Sequence, residues 1–68
     1  MAVAKVIELM AESKKGWEDA AQEALAEASK TLDNIKSIYI KDMQAVVENN
    51  AITKYRVNAK VTFLVKEK

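Results

Sequence analysis

The stretch Thr53-Lys54-Tyr55-Arg56-Val57-Asn58-Ala59-Lys60-Val61-Thr62-Phe63-Leu64-Val65 decides the fold. Its odd positions are Thr53, Tyr55, Val57, Ala59, Val61, Phe63 and Val65. Its even positions, with Ile52 before and Lys66 after, are Lys54, Arg56, Asn58, Lys60, Thr62 and Leu64. Successive side chains of a strand point to opposite faces, so a period of two over this length marks a strand with one buried face. The odd face is the core. The even face is polar and basic in its middle.

Working back along the chain, Asn49-Asn50 is a turn, since two asparagines tolerate the positive φ of a tight hairpin. Before it, residues 35–48 form a second strand carrying Ile38, Ile40, Val46 and Val47. The alternation falters at Lys41-Asp42-Met43-Gln44, where a bulge or bend is expected. Earlier still, Trp17, Ala20, Ala21, Ala24, Leu25, Ala28 and Leu32 recur at spacings of three and four. They predict a helix over 14–32 whose apolar stripe is mostly alanine. Ser13 is the expected N-cap, Asp33-Asn34 the expected stop, and Lys14–Glu18 and Lys15–Asp19 are weak i,i+4 pairs. At the start, Val3 to Met10 alternates as a first strand, with Ala11-Glu12-Ser13 as its connection to the helix.

The order β-α-β-β predicts an α+β fold with a three-stranded antiparallel sheet packed on one helix, as a single domain over residues 1–68. The chain has 68 residues, half hydrophobic and 31% charged, which describes a folded domain. A domain this small buries only roughly 60% of the surface its unfolded chain exposes and usually needs a staple. Cysteine and histidine are both absent. That removes disulfides, Cys/His zinc sites and the histidine-dependent nucleophilic triads. Self-association remains. The sheet also has two edges, and Ile38, Ile40 and Leu64 are expected on the face away from the helix, so other copies are expected to cover these surfaces.

Eleven basic residues oppose ten acidic ones, with no basic excess for nucleic acid. Apolar runs are far shorter than the roughly 20 residues that span a bilayer. Met1 to Met10 reads as a strand, not a signal peptide, and a cytoplasmic location is the expectation. The single glycine leaves no phosphate-cradling loop, and no pair of carboxylates or lysines stands out for catalysis. A non-enzyme is expected.

The residues resemble the dodecin family over nearly the whole chain. The resemblance rests on Lys5-Val6-Ile7-Glu8-Leu9, on Ser13 followed by Trp17-Glu18-Asp19-Ala20-Ala21, on Ala24, Ala28 and Lys30-Thr31-Leu32-Asp33-Asn34-Ile35, and on Tyr55-Arg56-Val57 with Val61-Thr62-Phe63. It implies a hollow shell of twelve copies that binds or stores a small ligand without catalysis. In flavin-binding members the ligand is riboflavin or its nucleotides FMN and FAD; other members bind coenzyme A or calcium.

The flavin-binding members carry a tryptophan on the second strand, which stacks on the flavin ring, and a glutamine after the tyrosine of the third. Ser37 and Arg56 stand there in this chain. A hydroxyl offers no aromatic face, and arginine only donates where the ring edge also needs an acceptor. Asp42 matches an acidic position near the ribityl chain. Tyr39, two residues after Ser37, is the nearest aromatic and shares its face in a regular strand. The candidate ligand residues are therefore Ser37, Tyr39, Asp42 and Arg56. The pattern lies closer to the calcium-binding members that lack the tryptophan, with Glu8, Glu12, Asp33, Asp42 and Glu48 as dispersed acids of no EF-hand spacing. Lys54, Arg56 and Lys60 form a basic strip suited either to an anionic cofactor or to carboxylates of neighbouring copies, Glu8 or Glu48. A purely structural shell is the remaining alternative.

Overall fold

A computed structural model describes residues 3–66. Strand β1 spans Val3–Ser13, helix α1 Trp17–Ser29, strand β2 Ile35–Glu48 and strand β3 Ala51–Lys66. The sheet order is β1-β3-β2, with every neighbouring pair antiparallel. The helix therefore carries the chain from one edge strand to the other, and β3 returns into the gap between them. Residues 1, 2, 67 and 68, and the side chain of Lys66 assigned above to the outer face, lie outside the described part.

The pattern that decided the fold holds. Val57, Ala59 and Val61 of β3 are buried against Ala20, Ala24 and Ala28 of α1. Alanine every fourth residue keeps that helix face flat, so it lies close on the central strand. Directly paired residues share a face, so Ile7, Leu9 and Ala11, opposite Val61, Ala59 and Val57, complete the core from β1. From β2, Ile38 and Ile40 stand opposite Val61 and Ala59. This corrects their expected place: both lie on the helix side. The reason is a bulge that the sequence did not reveal. The register shifts between Ile35 and Ser37, so Lys36 is extra and the parity of β2 is reset. The bulge that was expected is present as a shift between Ile40 and Asp42, and a third lies between Val46 and Val47.

The helix is shorter than the periodicity suggested. Its first bond runs from Ala20 N–H to Gly16 O, and Gly16 occupies the N-cap with no side-chain cap. Ser13 is not the cap. It is the last residue of β1, buried, and its hydroxyl accepts from Lys15 N–H (2.9 Å) while donating to Asp19 Oδ2 (2.6 Å). The serine thus pins the strand-to-helix turn to the first turn of α1. At the other end Thr31 N–H and Leu32 N–H both reach Ala28 O (3.2 and 3.0 Å), which tightens and closes the helix before Leu32. Asn34 then turns the chain at φ 60°, and its carbonyl takes Leu64 N–H at 3.0 Å, docking the start of β2 on β3.

Asn49 and Asn50 have φ 54° and 62°, as the hairpin turn requires. The molecule measures 53 × 19 × 14 Å. A 13-residue helix covers only about 20 Å of that length.

Candidate functional site

Three of the four candidate residues sit on β2 and one on β3. Ser37 pairs with Thr62, Tyr39 with Lys60, Asp42 with Asn58, and Gln44 with Arg56. These are four successive pairs on the face turned away from α1. The bulge at Lys41 is what keeps Asp42 on this face: without it, Tyr39 and Asp42, three apart, would point to opposite sides. Ser37 and Tyr39 are neighbours, and Asp42 lies one pair from Arg56. Ser37 and Arg56 are not brought together. Six residues of β3 separate their pairs, about 20 Å of strand.

Tyr39 is 65% exposed, an aromatic ring with one free face. Asn58, beside Asp42, has a buried amide oxygen with no hydrogen-bond partner among the described residues. Arg56 is held from the other side. Its Nε donates to Glu12 Oε2 (2.7 Å) and its Nη2 lies 2.6 Å from the same oxygen, across the directly paired positions Glu12 and Arg56. Lys54 Nζ lies 3.8 Å from Glu12 Oε1. The hydrogen bond from Arg56 holds the Glu12 carboxyl below its ordinary range. Desolvation opposes this, and the charges of Arg56 and Lys54 add to the lowering. Lys41, the bulged residue, reaches over β3 to Glu8 Oε2 at 3.2 Å. Two members of the basic strip thus find their carboxylate within the chain, at Glu12, where neighbouring copies' Glu8 or Glu48 were the expected source. Lys60 has no ion pair among the described residues.

Glu12, named above only among the dispersed acids, is the partner of Arg56. It was read as part of a connection because the apolar alternation of β1 fades after Met10. The available signal was its charge opposite the only arginine. Trp17 is the first residue of the helix's apolar stripe. Its ring meets Tyr55 edge-on (centroids 5.0 Å apart), and its indole N–H donates to Gln44 O at 3.0 Å. It clamps the helix start to β2 and β3 on the helix side, away from the four candidates.

Chemically this face is polar, with a single aromatic ring. It carries one exposed ring, a carboxylate, Arg56 and Lys54 sharing Glu12, Lys41 on Glu8, and Lys60 with no ion pair among the described residues. No group of three or more carboxylates capable of holding a metal ion occurs among the described residues. No helix is long and apolar enough to cross a membrane.

Order and pairing together define a small β-α-β-β domain with a three-stranded antiparallel sheet and one helix. The family model for dodecin matches residues 3–66, and the chain belongs to the dodecin family. It is 32% identical to the calcium dodecin of Mycobacterium tuberculosis over 63 residues, 93% of this chain and 89% of that one. A crystal structure of that protein, described as calcium-chelating with a novel calcium-binding site, superposes with a TM-score of 0.83 at 29% identity, covering 97% of this chain and 94% of that one. Identity to the dodecin of Thermus thermophilus is 34% over 65 residues, 96% of this chain and 94% of that one. A crystal structure from the same organism gives a TM-score of 0.92 at 32% identity, over the whole of both chains.

Proposed function

We propose that this chain is the subunit of a hollow, cytoplasmic homododecamer that binds and stores a small ligand without catalysis, and that flavin is that ligand. One observation carries the reading: Ser37, Tyr39, Asp42 and Arg56 all lie on one sheet face. Tyr39 takes the stacking role that Ser37 cannot, and Asp42 is placed for the hydroxyl-bearing chain of the ligand. The roughly 20 Å between Ser37 and Arg56 exceeds the length of one flavin ring, so a site using both draws them from two copies. The family resemblance supplies the number twelve.

The test is a riboflavin fluorescence-quenching titration on the assembled protein. Saturable, stoichiometric quenching that is lost in Tyr39→Ala is the expected result. No quenching at millimolar subunit concentration would retire the flavin reading.

Calcium is the second reading, favoured by the relative named calcium dodecin at 32% identity. Carboxylates from more than one copy would have to converge, since calcium takes six to eight oxygens and a single chain brings no such cluster together among its described residues. A rise in melting temperature with calcium, reversed by chelation, would support it, because a ligand that binds only the folded state stabilises it by mass action. Coenzyme A or another anionic cofactor is weakened by Glu12, which pairs with both Arg56 and Lys54 and offsets one of their two charges.

A further inference from the structure

Arg56 has a second neighbour across the ladder, and it is neutral. Gln44 of β2 is its direct partner, so the two side chains share the face turned away from α1. Gln44 is exposed. Its backbone carbonyl accepts the Trp17 indole N–H at 3.0 Å, which fixes the strand beneath it. Its side-chain amide has no hydrogen-bond partner among the described residues.

The polar edge of a flavin ring is an imide, an N–H between two carbonyl oxygens. It needs one acceptor flanked by two donors. Arg56 brings donors only, and its Nε and Nη2 already face Glu12 Oε2. The acceptor must come from a neighbour on the same face. Glu12 is committed to Arg56 and Lys54. The amide oxygen of Asn58 is buried. Ionised Asp42 accepts but has nothing to donate. Gln44 brings an acceptor and a donor on one neutral, uncommitted group.

The spacing also suits one ligand. Tyr39 pairs with Lys60 and Gln44 with Arg56, so four residues of β3 separate the two pairs, about 13 Å of strand. A three-ring flavin stacked on Tyr39, with a hydrogen bond at its end, covers that distance once the Gln44 side chain reaches toward it. A single chain therefore offers both a platform and an edge partner.

We propose that Gln44 binds the imide edge of the flavin, accepting from its ring N–H and donating to one flanking carbonyl, while a remaining N–H of Arg56 serves the other. The inference rests on the flavin reading above and adds the residue that selects an imide-bearing ring.

The test compares riboflavin with riboflavin methylated at the imide nitrogen, which has no N–H to give. Both are titrated by fluorescence quenching into wild type and Gln44→Ala, each matched for assembled mass by light scattering. Wild type is expected to bind riboflavin about tenfold more tightly than the methylated form, the loss of one hydrogen bond with a group left unpaired. Gln44→Ala is expected to bind riboflavin about tenfold more weakly than wild type and to tell the two ligands apart by less than twofold. Discrimination that persists in Gln44→Ala would overturn the inference, since another residue would then hold the edge. Equal binding of the two ligands by wild type would overturn it as well, while leaving flavin as the ligand. Wild type that quenches neither ligand would remove the flavin reading itself, and this inference with it.

Discussion

Arg56 and Glu12 face each other across β1 and β3 with a hydrogen bond and an ion-pair contact to one carboxylate oxygen. Because the Glu12 pKa is lowered in the folded chain, its contribution to stability is present above the ordinary carboxylate value of 4.5 and is lost as the pH falls through the folded value. Glu12→Gln is therefore expected to lower the urea midpoint at pH 7, and the gap to wild type should close as the pH falls below 4.5. A gap independent of pH would show that the charge is not what the pair contributes. Trp17 is the second residue with a definite role. Trp17→Phe keeps an edge-on ring near Tyr55 but loses the donor to Gln44 O, an expected cost of about 0.5–1 kcal/mol in urea unfolding at fixed protein concentration. No loss would mean that water serves that carbonyl equally well.

At the scale of elements, the helix and sheet meet through alanine. Ala24→Leu adds three carbons where Ala24 is fully packed, and overpacking of this kind costs about 1–3 kcal/mol. A neutral result would contradict the close approach of α1 to β3. The hairpin depends on its turn. Asn50 holds φ 62°, where an alanine side chain is strained by roughly 1–2 kcal/mol, so Asn50→Ala should destabilise by about that amount while Asn50→Gly stays near wild type. Equal stability of the two variants would show that the turn relaxes out of the positive-φ region. The bulges matter at this scale too. Lys36 and Lys41 are the extra residues of β2, and through them Ile38 and Ile40 reach the core while Ser37, Tyr39 and Asp42 reach the other face.

At the scale of the whole molecule, one chain displays a half-built site and a half-covered fold. The Ser37→Trp, Arg56→Gln double variant restores the aromatic and the acceptor that flavin-binding members carry. Stacking is worth about 0.5–1.5 kcal/mol, so this variant should bind riboflavin several-fold more tightly than wild type in the same quenching titration. Affinity equal to or below that of wild type would show that these two positions do not set flavin binding here. Arg56→Gln alone separates the effects, since it also leaves Glu12 without its hydrogen-bond partner.

The residues themselves determined the strand 53–65, the Asn-Asn turn, the alanine stripe of the helix, the β-α-β-β order and the family. These are local: a period of two, a period near four and a tolerated backbone angle need no knowledge of distant partners. The candidate ligand residues were also legible one by one, Ser37, Asp42 and Arg56 through the family resemblance and Tyr39 through its place two residues after Ser37. Their arrangement was not. Bulges at Lys36 and Lys41 decide which side of the sheet each residue of β2 occupies, and a bulge depends on the register against β3. The pairing of Arg56 with Glu12 needed β1 to continue to Ser13, where its apolar alternation has faded and only hydrogen bonding to β3 holds it extended. The place of Ser13 and the early end of the helix have the same origin. Hydrogen bonds to Asp19, Ala28 and Leu64 settle them, and those partners converge only once the sheet and helix have closed on each other.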